Sequence, residues 1–235
     1  VWVWRFGEKG ESVGDGWGRQ RVEPMRRVLA AAKGFIARRR LVMLMLPVVI
    51  GAVWLFLWQL AVRTDGAMRE ELLARTRLAA TKVSLARVQA LTGTAADAGG
   101  VAYVKLEQQL AAIRADNPEC RFVYLMGRRA DGVVIILADS EPAGSADESP
   151  PGEAYGEVTP EELKVFETVT PQALGPYVNR WGTWVSAQVP LVDAVSGRLV
   201  AVFGMDVDAG AWKRDVAVRL ALPAGIMLVV LVVLV

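Results

Sequence analysis

The sequence contains no histidine and a single cysteine among its 235 residues. The missing histidine excludes histidine acid–base catalysis, histidine metal ligands, a histidine pH switch and a phosphate-accepting histidine from residues 1–235. With only Cys120, the chain cannot form an internal disulfide or a cysteine-rich zinc site. Cys120 precedes an apolar run, where a small, partly buried side chain is the simplest interpretation. A reactive thiol is the alternative, and no neighbouring base in the sequence supports it.

An excess of charge of either sign is also missing. The 27 Lys and Arg residues nearly balance the 25 Asp and Glu residues, so the net charge is +2 and nucleic acid is not an implied partner. Hydrophobic residues make up 53% of the chain, and its mean hydropathy is +0.31. This share exceeds that of typical soluble domains and indicates membrane segments.

Residues 41–62, LVMLMLPVVIGAVWLFLWQLAV, contain no charged residue and are long enough to cross the hydrocarbon core as a helix. The preceding segment, residues 25–40, is strongly basic, whereas the following flank mixes both signs. The positive-inside rule therefore predicts a cytoplasmic N-terminus and an extracytoplasmic domain. A cleaved signal peptide is the alternative. The apolar run is too long for a signal core, and no small-residue cleavage site follows it before Arg63.

Residues 220–235, LALPAGIMLVVLVVLV, form a second uncharged run. Its sixteen residues fall short of the roughly 20 needed to span a bilayer, so we expect the start of a second transmembrane helix, truncated here. A short buried core helix is the alternative, although the run has no polar face. Any output domain, a kinase or a cyclase, would follow residue 235 in the cytoplasm. Residues 1–24 are glycine-rich without an apolar period, and we expect them to be disordered or an artefact upstream of Met25.

The domain between the membrane segments, residues 63–219, begins with helical periodicity and continues with strands. Apolar residues at helical spacing predict a long helix over 64–92 and a second over 101–115. A hairpin follows, with strands at 121–127 and 133–139 around Asp131-Gly132. After a long loop over 141–160 and a short helix to about residue 169, strands are predicted at 175–179, 184–191 and 199–206. The order predicts an α+β fold, an antiparallel sheet backed by the long N-terminal helix.

Three stretches resemble the extracytoplasmic Cache sensor domains, whose fold is PAS-like. FVYLMGRRADGVVIILAD resembles their opening hairpin, and RWGTWVSAQVPLVDAVSGRLVAVFGMDVD their closing hairpin. The long helix leaving the first membrane segment is the third. The resemblance covers about residues 64–212 and implies one module, since a single sheet is predicted.

The resemblance implies a bacterial inner-membrane receptor that binds a small molecule outside the cell. Such domains occur in histidine kinases of two-component systems, diguanylate cyclases and chemoreceptors, and they signal inward through helices. In amine-binding members, an aspartate at the end of the final strand holds the ligand's ammonium group. Upstream Tyr, Arg and Trp residues hold its carboxylate and wall the pocket. Asp206 occupies the matching strand end, and Tyr177, Arg180 and Trp181 supply the upstream residue types.

Each candidate ligand-binding residue also has a purely structural interpretation. Asp206 or Asp208 could cap the following helix, and Asp208 fits that role better. Arg180 could be an exposed arginine stacked on an aromatic ring. Trp184 could belong to the core or to the pocket wall. The strand residues Tyr124 and Ser186 could face either the pocket or the core.

For the acidic loop over 141–160 a solvated loop is the simplest interpretation. A lid over a pocket is the alternative, because a loop of this length is unusual in a compact domain. The loop shows no calcium-loop spacing, and no metal site or cofactor is predicted. Arg121, at a strand start, is expected to be exposed.

Three classes of function fit these observations to different degrees. The first is ligand sensing and transmembrane signalling, with a small polar ligand that is a carboxylate or an amine. The second is a membrane-anchored protein-binding module. The third is an extracytoplasmic enzyme, for which the sequence shows no catalytic machinery. We further expect a homodimer formed along the 64–92 helix, with the lipid bilayer as the other partner.

Overall fold

The computed structural model describes the backbone of residues 16–234 and the side chains of residues 26–232 apart from 30, 37 and 42. The chain forms two units: one is Leu57–Gly225, and the other contains the described residues up to Phe56 and from Ile226 onward. The first fifteen residues of the segment expected to be disordered lie outside the described residues, and helix α1 begins at Gly16.

Within the described part of the chain, two helices are long and apolar enough to cross a membrane. One such stretch is Arg26–Ala80 within α1, and the other is Ala209–Val232 within α5. In each stretch, the 18 consecutive residues that are most apolar are not buried by any other part of the protein. These stretches contain most of the two runs that the sequence singles out, residues 41–62 and 220–235.

Five helices and five strands make up the described chain. The helices are α1 Gly16–Ala80, α2 Leu85–Gln89, α3 Val101–Asp116, α4 Pro160–Thr168 and α5 Ala209–Leu234. The strands are β1 Cys120–Arg128, β2 Val134–Asp139, β3 Gln172–Asn179, β4 Gly182–Val192 and β5 Leu199–Asp208. A 3₁₀ turn, Ala95–Asp97, precedes α3.

The strands form one sheet in the order β2-β1-β5-β4-β3, and every neighbouring pair is antiparallel. The chain therefore places its first and last strands, β1 and β5, side by side at the centre. The predicted α+β class with an antiparallel sheet is confirmed. The part of α1 that follows its apolar run contributes Met68 and Leu72 to the core on one face of this sheet, so the long N-terminal helix also lies where it was expected.

The two faces of the sheet have different partners, because successive side chains of a strand point to opposite faces. Val123 and Leu125 of β1 join the core shared with α1, α2 and α3. Phe122, Tyr124 and Met126 of the same strand join a second core with α4 and the loop before it. The polar residues of the central strands lie on this second face, so the site is found there.

The continuous helix predicted over 64–92 is wrong beyond Ala80. A turn separates α1 from α2, and it directs Val83 into the core, where its side chain is buried. The side chain of Gln109 on α3 accepts a hydrogen bond from the Ser84 backbone N–H and donates one to the Lys82 carbonyl. Because Gln109 satisfies the backbone groups that the helix break leaves unpaired, the break is stabilised from another helix.

Candidate functional site

A cavity of about 40 Å³ lies between the second face of the sheet and the loop over residues 140–159. By this measure one water needs roughly 10–15 Å³, so the cavity suits a ligand of only a few heavy atoms. Five aromatic residues line it, together with three aspartates and four other side chains. The lining residues are Phe122, Tyr124, Met126, Ile136, Asp139, Asp147, Ser149, Tyr155, Tyr177, Asn179, Trp181 and Asp206. Among these described residues none is Lys or Arg.

Asp206 is the buried carboxylate of this cavity, with 4% of its surface exposed. It pairs with Ser186 across β4 and β5, and Ser186 donates a hydrogen bond of 2.5 Å to its Oδ1. The hydroxyl of Tyr124 donates a second hydrogen bond of 3.0 Å to the same oxygen. Within the described residues, no protein group donates to Oδ2. One oxygen of Asp206 is therefore held by the protein, and the other is left for a ligand or solvent.

Gly204 allows Tyr124 to reach Asp206. The two residues are directly paired between β1 and β5, and the tyrosine ring lies across the glycine. A Cβ atom at position 204 would lie 2.3 Å from the ring carbon that bears the hydroxyl, far inside contact distance. The absence of a side chain at Gly204 thus creates the space in which the phenol approaches the carboxylate.

Burial raises the pKa of Asp206 from its ordinary value of 3.8 to about 7. Loss of hydration is the main cause, the nearby carboxylate of Glu162 adds to it, and the hydrogen bonds from Ser186 and Tyr124 oppose it. No Lys or Arg of the described residues forms an ion pair with Asp206. A buried carboxylate without a positive partner is costly in its ionised form, so a cation entering the cavity would offset that cost.

The predicted aromatic residues take two different positions. Tyr177 and Trp181 line the cavity, and the hydroxyl of Tyr177 is 2.8 Å from that of Ser186. Trp184 is buried behind the cavity wall, where its ring meets Phe122 edge-on at 5.0 Å. Its indole N–H donates to Asn179. Trp184 therefore supports the lining residues and does not itself line the cavity, which is the core alternative of the two given for it.

Arg180 lies outside the cavity lining. Its guanidinium forms an ion pair of 2.9 Å with Glu153, approaches Ser149 at 3.5 Å and stacks 4.0 Å over the ring of Trp181. This position matches the structural interpretation of Arg180, an exposed arginine stacked on an aromatic ring. Arg180 joins the β3–β4 turn to the loop and is engaged there by a protein carboxylate.

The loop over 140–159 covers the cavity, as in the alternative interpretation of a lid. Asp139, at the end of β2, accepts a hydrogen bond from the backbone N–H of Glu141 at 2.9 Å and another from that of Ser149 at 2.7 Å. Arg121 pairs with both Glu141 and Asp147, each at 2.6 Å. Arg121 was expected to be merely exposed, but its charge fixes the first half of the loop to β1.

The second half of the loop extends the sheet at the edge of β2. Residues 152–155 exchange backbone hydrogen bonds with Val134 and Ile136, and this places Tyr155 in the cavity with 6% of its surface exposed. The loop is therefore built into the domain, and its aromatic residue forms one wall of the site.

Several functional residues were missed from the sequence. Phe122 and Met126 lie on the same strand and the same face as Tyr124. The two-residue period of β1 would therefore have predicted that they accompany Tyr124. Gln188 likewise lies two residues from Ser186 on β4, and both are fully buried. Asp208 was correctly assigned to the helix: its Oδ1 accepts a hydrogen bond from the Ala211 backbone N–H at the start of α5.

Comparisons with known proteins give structural neighbours only. No protein-family model and no curated protein matches the sequence. The chain is similar to the ligand-binding domain of the Campylobacter jejuni chemoreceptor Tlp3 in complex with L-valine, with a TM-score of 0.44 and 13% identity over 74% of this chain and 66% of that one. It is also similar to the periplasmic domain of RsbU from Chlamydia trachomatis, with a TM-score of 0.43 and 11% identity over 72% and 56%.

The match covers less than two thirds of the length of these neighbours. At this level of similarity, neither neighbour defines what this chain binds.

Proposed function

We propose that residues 63–219 form an extracytoplasmic binding domain for a small organic cation and report its presence across the bacterial inner membrane. The observation that supports this most directly is the buried Asp206, whose Oδ2 receives no hydrogen bond from the described residues. The aromatic rings around it add an electron-rich surface that attracts cations. A ligand with an ammonium N–H group and a short apolar body fits both features.

The charge of the cavity favours an amine over a carboxylate. Its described lining includes Asp139, Asp147 and Asp206 but no positive side chain. Arg180, the expected carboxylate partner, is already paired with Glu153. A ligand carboxylate would have to displace Glu153 and enter a cavity of like charge, which is unfavourable. We therefore propose an amine without a carboxylate as the ligand.

The connection from the site to the membrane runs through β5. Asp206 lies two residues before Asp208, and α5 begins at Ala209 and continues to Leu234. A ligand that binds Asp206 differently in two arrangements of β5 would shift the start of α5 between them. We propose that α5 transmits this shift to a histidine kinase or diguanylate cyclase domain after residue 235.

Direct binding measurements test this proposal. We would titrate the full chain in lipid nanodiscs with three compounds of similar shape: isobutylamine, valine, which adds a carboxylate, and isovalerate, which has only a carboxylate. Isobutylamine should bind most tightly by calorimetry. Valine binding as tightly as isobutylamine would reject the amine-only ligand, and tight binding of isovalerate alone would reject a cation site. A protein that binds none of the three would contradict the proposal.

A matched pair of variants locates the bound cation. Asp206→Asn keeps the shape of the side chain and removes its charge, and it should weaken isobutylamine binding by about 2–5 kcal/mol. Asp147→Asn is the control, because Asp147 also lines the cavity but its side chain is 45% exposed and pairs with Arg121. Its effect should be below about 1 kcal/mol. Equal losses in the two variants would indicate general attraction to an acidic surface.

A further inference from the structure

A second buried carboxylate, Glu162 on α4, belongs to the same polar cluster as Asp206. Its Oε2 accepts a hydrogen bond of 2.7 Å from the Thr159 backbone N–H, and Thr159 caps the helix in return. Such a capping box works equally well on a solvent-exposed helix end. Glu162 is nevertheless completely buried, which is costly for a carboxylate. Its burial therefore calls for a role beyond the helix cap.

The second oxygen of Glu162 is bonded to Gln188, a fully buried residue of β4. The amide nitrogen of Gln188 donates to Glu162 Oε1 at 3.2 Å and to the hydroxyl oxygen of Tyr124 at 3.4 Å. The amide oxygen of Gln188 has no hydrogen-bond partner within the described residues. Burial raises the pKa of Glu162, while the hydrogen bonds from Thr159 and Gln188 act to lower it. An ionised carboxylate can only accept hydrogen bonds, so the ionised form of Glu162 requires the amide nitrogen on its side and fixes the orientation of the Gln188 amide.

The orientation of the Gln188 amide determines which group accepts the single hydrogen bond that the Tyr124 hydroxyl can donate. Since the phenol oxygen accepts from Gln188, the phenol proton is free to be donated to Asp206 Oδ1. If the amide were reversed, its oxygen would face Tyr124 and compete with Asp206 for that proton. The direction of the hydrogen bonds therefore runs from Gln188 through Tyr124 to Asp206.

We infer that Glu162 is a positioning residue for the ligand site: through Gln188 it directs the Tyr124 hydroxyl to Asp206 Oδ1, which leaves Oδ2 as the acceptor for a cation. The inference rests on the proposed function for the identity of the ligand, but the hydrogen-bond order exists in the unliganded protein. It names two residues, Glu162 and Gln188, that do not line the cavity. They act on the ligand only through Tyr124 and Asp206.

Two further carboxylates line the cavity with Asp206: Asp139 is bonded to the loop backbone and Asp147 to Arg121. The other titratable groups that face Asp206 and Glu162 from β1, β3 and the loop are Tyr124, Tyr155 and Tyr177. Burial raises the pKa of each of these tyrosines, so all three are uncharged near neutral pH. The order of donors is therefore set by Glu162, Asp206 and the amide between them.

Two variants separate this role from a structural one. In Glu162→Gln, the side chain at position 162 presents an amide N–H to Gln188, and we expect the Gln188 amide to reverse. Its oxygen then accepts hydrogen bonds both from the new amide at position 162 and from the Tyr124 hydroxyl. Tyr124 no longer donates to Asp206. Adding Gln188→Met removes the competing acceptor, so the double variant E162Q/Q188M should return the Tyr124 proton to Asp206. Both proteins lack the charge of Glu162, and the comparison between them isolates the amide.

The measured quantity is the pKa of Asp206 in the unliganded full chain in nanodiscs, with the aspartates of the protein labelled at the carboxyl ¹³C. The Asp206 signal is assigned as the one that disappears in Asp206→Asn. This pKa should be lower in E162Q/Q188M than in E162Q by roughly one pH unit, the size expected of one hydrogen bond to a charged group. In the Tyr124→Phe background this difference should vanish. Equal values in the two variants, or a difference that persists without the Tyr124 hydroxyl, would overturn the inference.

This readout needs no ligand, so its failure is distinct from failure of the proposed function. In isobutylamine titrations, E162Q should bind the amine several-fold more weakly than E162Q/Q188M. If the Glu162 variants do not fold, the wild-type protein tests the inference instead. The side-chain amide protons of Gln188 should exchange slowly with solvent, and their NMR signals should shift as Glu162 titrates. Rapid exchange, or no response to that titration, would contradict the inference.

Discussion

Trp212 donates a hydrogen bond of 2.7 Å from its indole N–H to the carboxylate of Asp65, although 147 residues separate the two in sequence. The other oxygen of Asp65 accepts from Arg69 at 2.7 Å, and the Arg69 guanidinium lies 5.9 Å above the Trp212 ring. Asp65 lies on α1 just after its apolar stretch, and Trp212 lies on the first turn of α5. The chain is thus tied to itself at the two ends of the folded domain.

This tie gives the first prediction, which concerns the stability of the domain. Trp212→Phe keeps an aromatic ring and removes the indole N–H, leaving one acceptor of Asp65 without its donor. We expect the free energy of unfolding of residues 63–219 to fall by about 1–2 kcal/mol in urea titrations. Lys213→Ala is the control on the adjacent, exposed position and should have almost no effect. Equal effects of the two changes would mean that the bond contributes nothing.

The second prediction is that residues 63–219 fold without either membrane segment. Every residue of the two buried cores, from Met68 to Trp212, lies within this range. The fragment should therefore be soluble and unfold in a single cooperative thermal transition. An aggregated or molten product with no transition would show that the membrane helices are needed for folding.

The third prediction concerns topology. The basic flank of the first apolar run predicts that residue 30 lies in the cytoplasm and residue 70 outside. Alkaline phosphatase fused after residue 70 should be active, and the same reporter fused after residue 30 should be inactive. Green fluorescent protein at the two positions should give the opposite pattern. The reverse result at both sites would place the binding domain in the cytoplasm.

The fourth prediction is a pH dependence of stability. Asp206 has a pKa of about 7 in the folded protein and an ordinary pKa near 3.8 when unfolded, so the folded state binds its proton more tightly. Its contribution to the free energy of unfolding therefore falls as pH rises from about 4 to 7 and is constant above that range. Asp206→Asn removes this loss.

Urea titrations between pH 4 and pH 8 test this sign. The stability of Asp206→Asn relative to the wild type should increase with pH across the window and then level off. Asp139, with a pKa raised to about 6 by burial, contributes in the same direction in both proteins and cancels from the comparison. A relative stability that does not change with pH would show that Asp206 titrates normally.

The fifth prediction separates the roles of Arg180 and Asp206. The Arg180 and Glu153 side chains are 43% and 27% exposed, and ion pairs near the surface contribute about 0–1 kcal/mol. Arg180→Ala should therefore change isobutylamine affinity by less than about fivefold, while faster loop opening increases both the association and dissociation rates in stopped-flow measurements. A large loss of valine binding in the same variant would instead identify Arg180 as a carboxylate partner.

The positions of the strands could be predicted from the sequence because their signals are local. The Asp131-Gly132 turn and the apolar runs around it marked the first hairpin, and the apolar runs at 184–191 and 199–206 marked the last one. The break after Ala80 could not be predicted in this way, since the groups that stabilise it come from Gln109 on another helix. Helical periodicity continues through the break and conceals it.

The site was predictable only in part. Asp206 stands out because it interrupts an apolar strand, and its alternative role as a helix cap is taken by Asp208. Glu162 was recognisable only as an acidic residue in the first turn of a helix. Its burial depends on how α4 packs over β4, which brings it to Gln188 from 26 residues away. Contacts of this kind arise from tertiary packing and leave no local pattern in the sequence.

Gly204 makes the cluster around Asp206 unusually sensitive to genetic change. All other amino acids carry a β-carbon, so every missense mutation of this codon would place an atom where the Tyr124 ring now lies. No conservative replacement exists, and even alanine would force the ring away from β5. The hydrogen bond to Asp206 and the contact with Gln188 would then be lost together. A single codon thus controls both the shape of the cavity and the charge state of its acid.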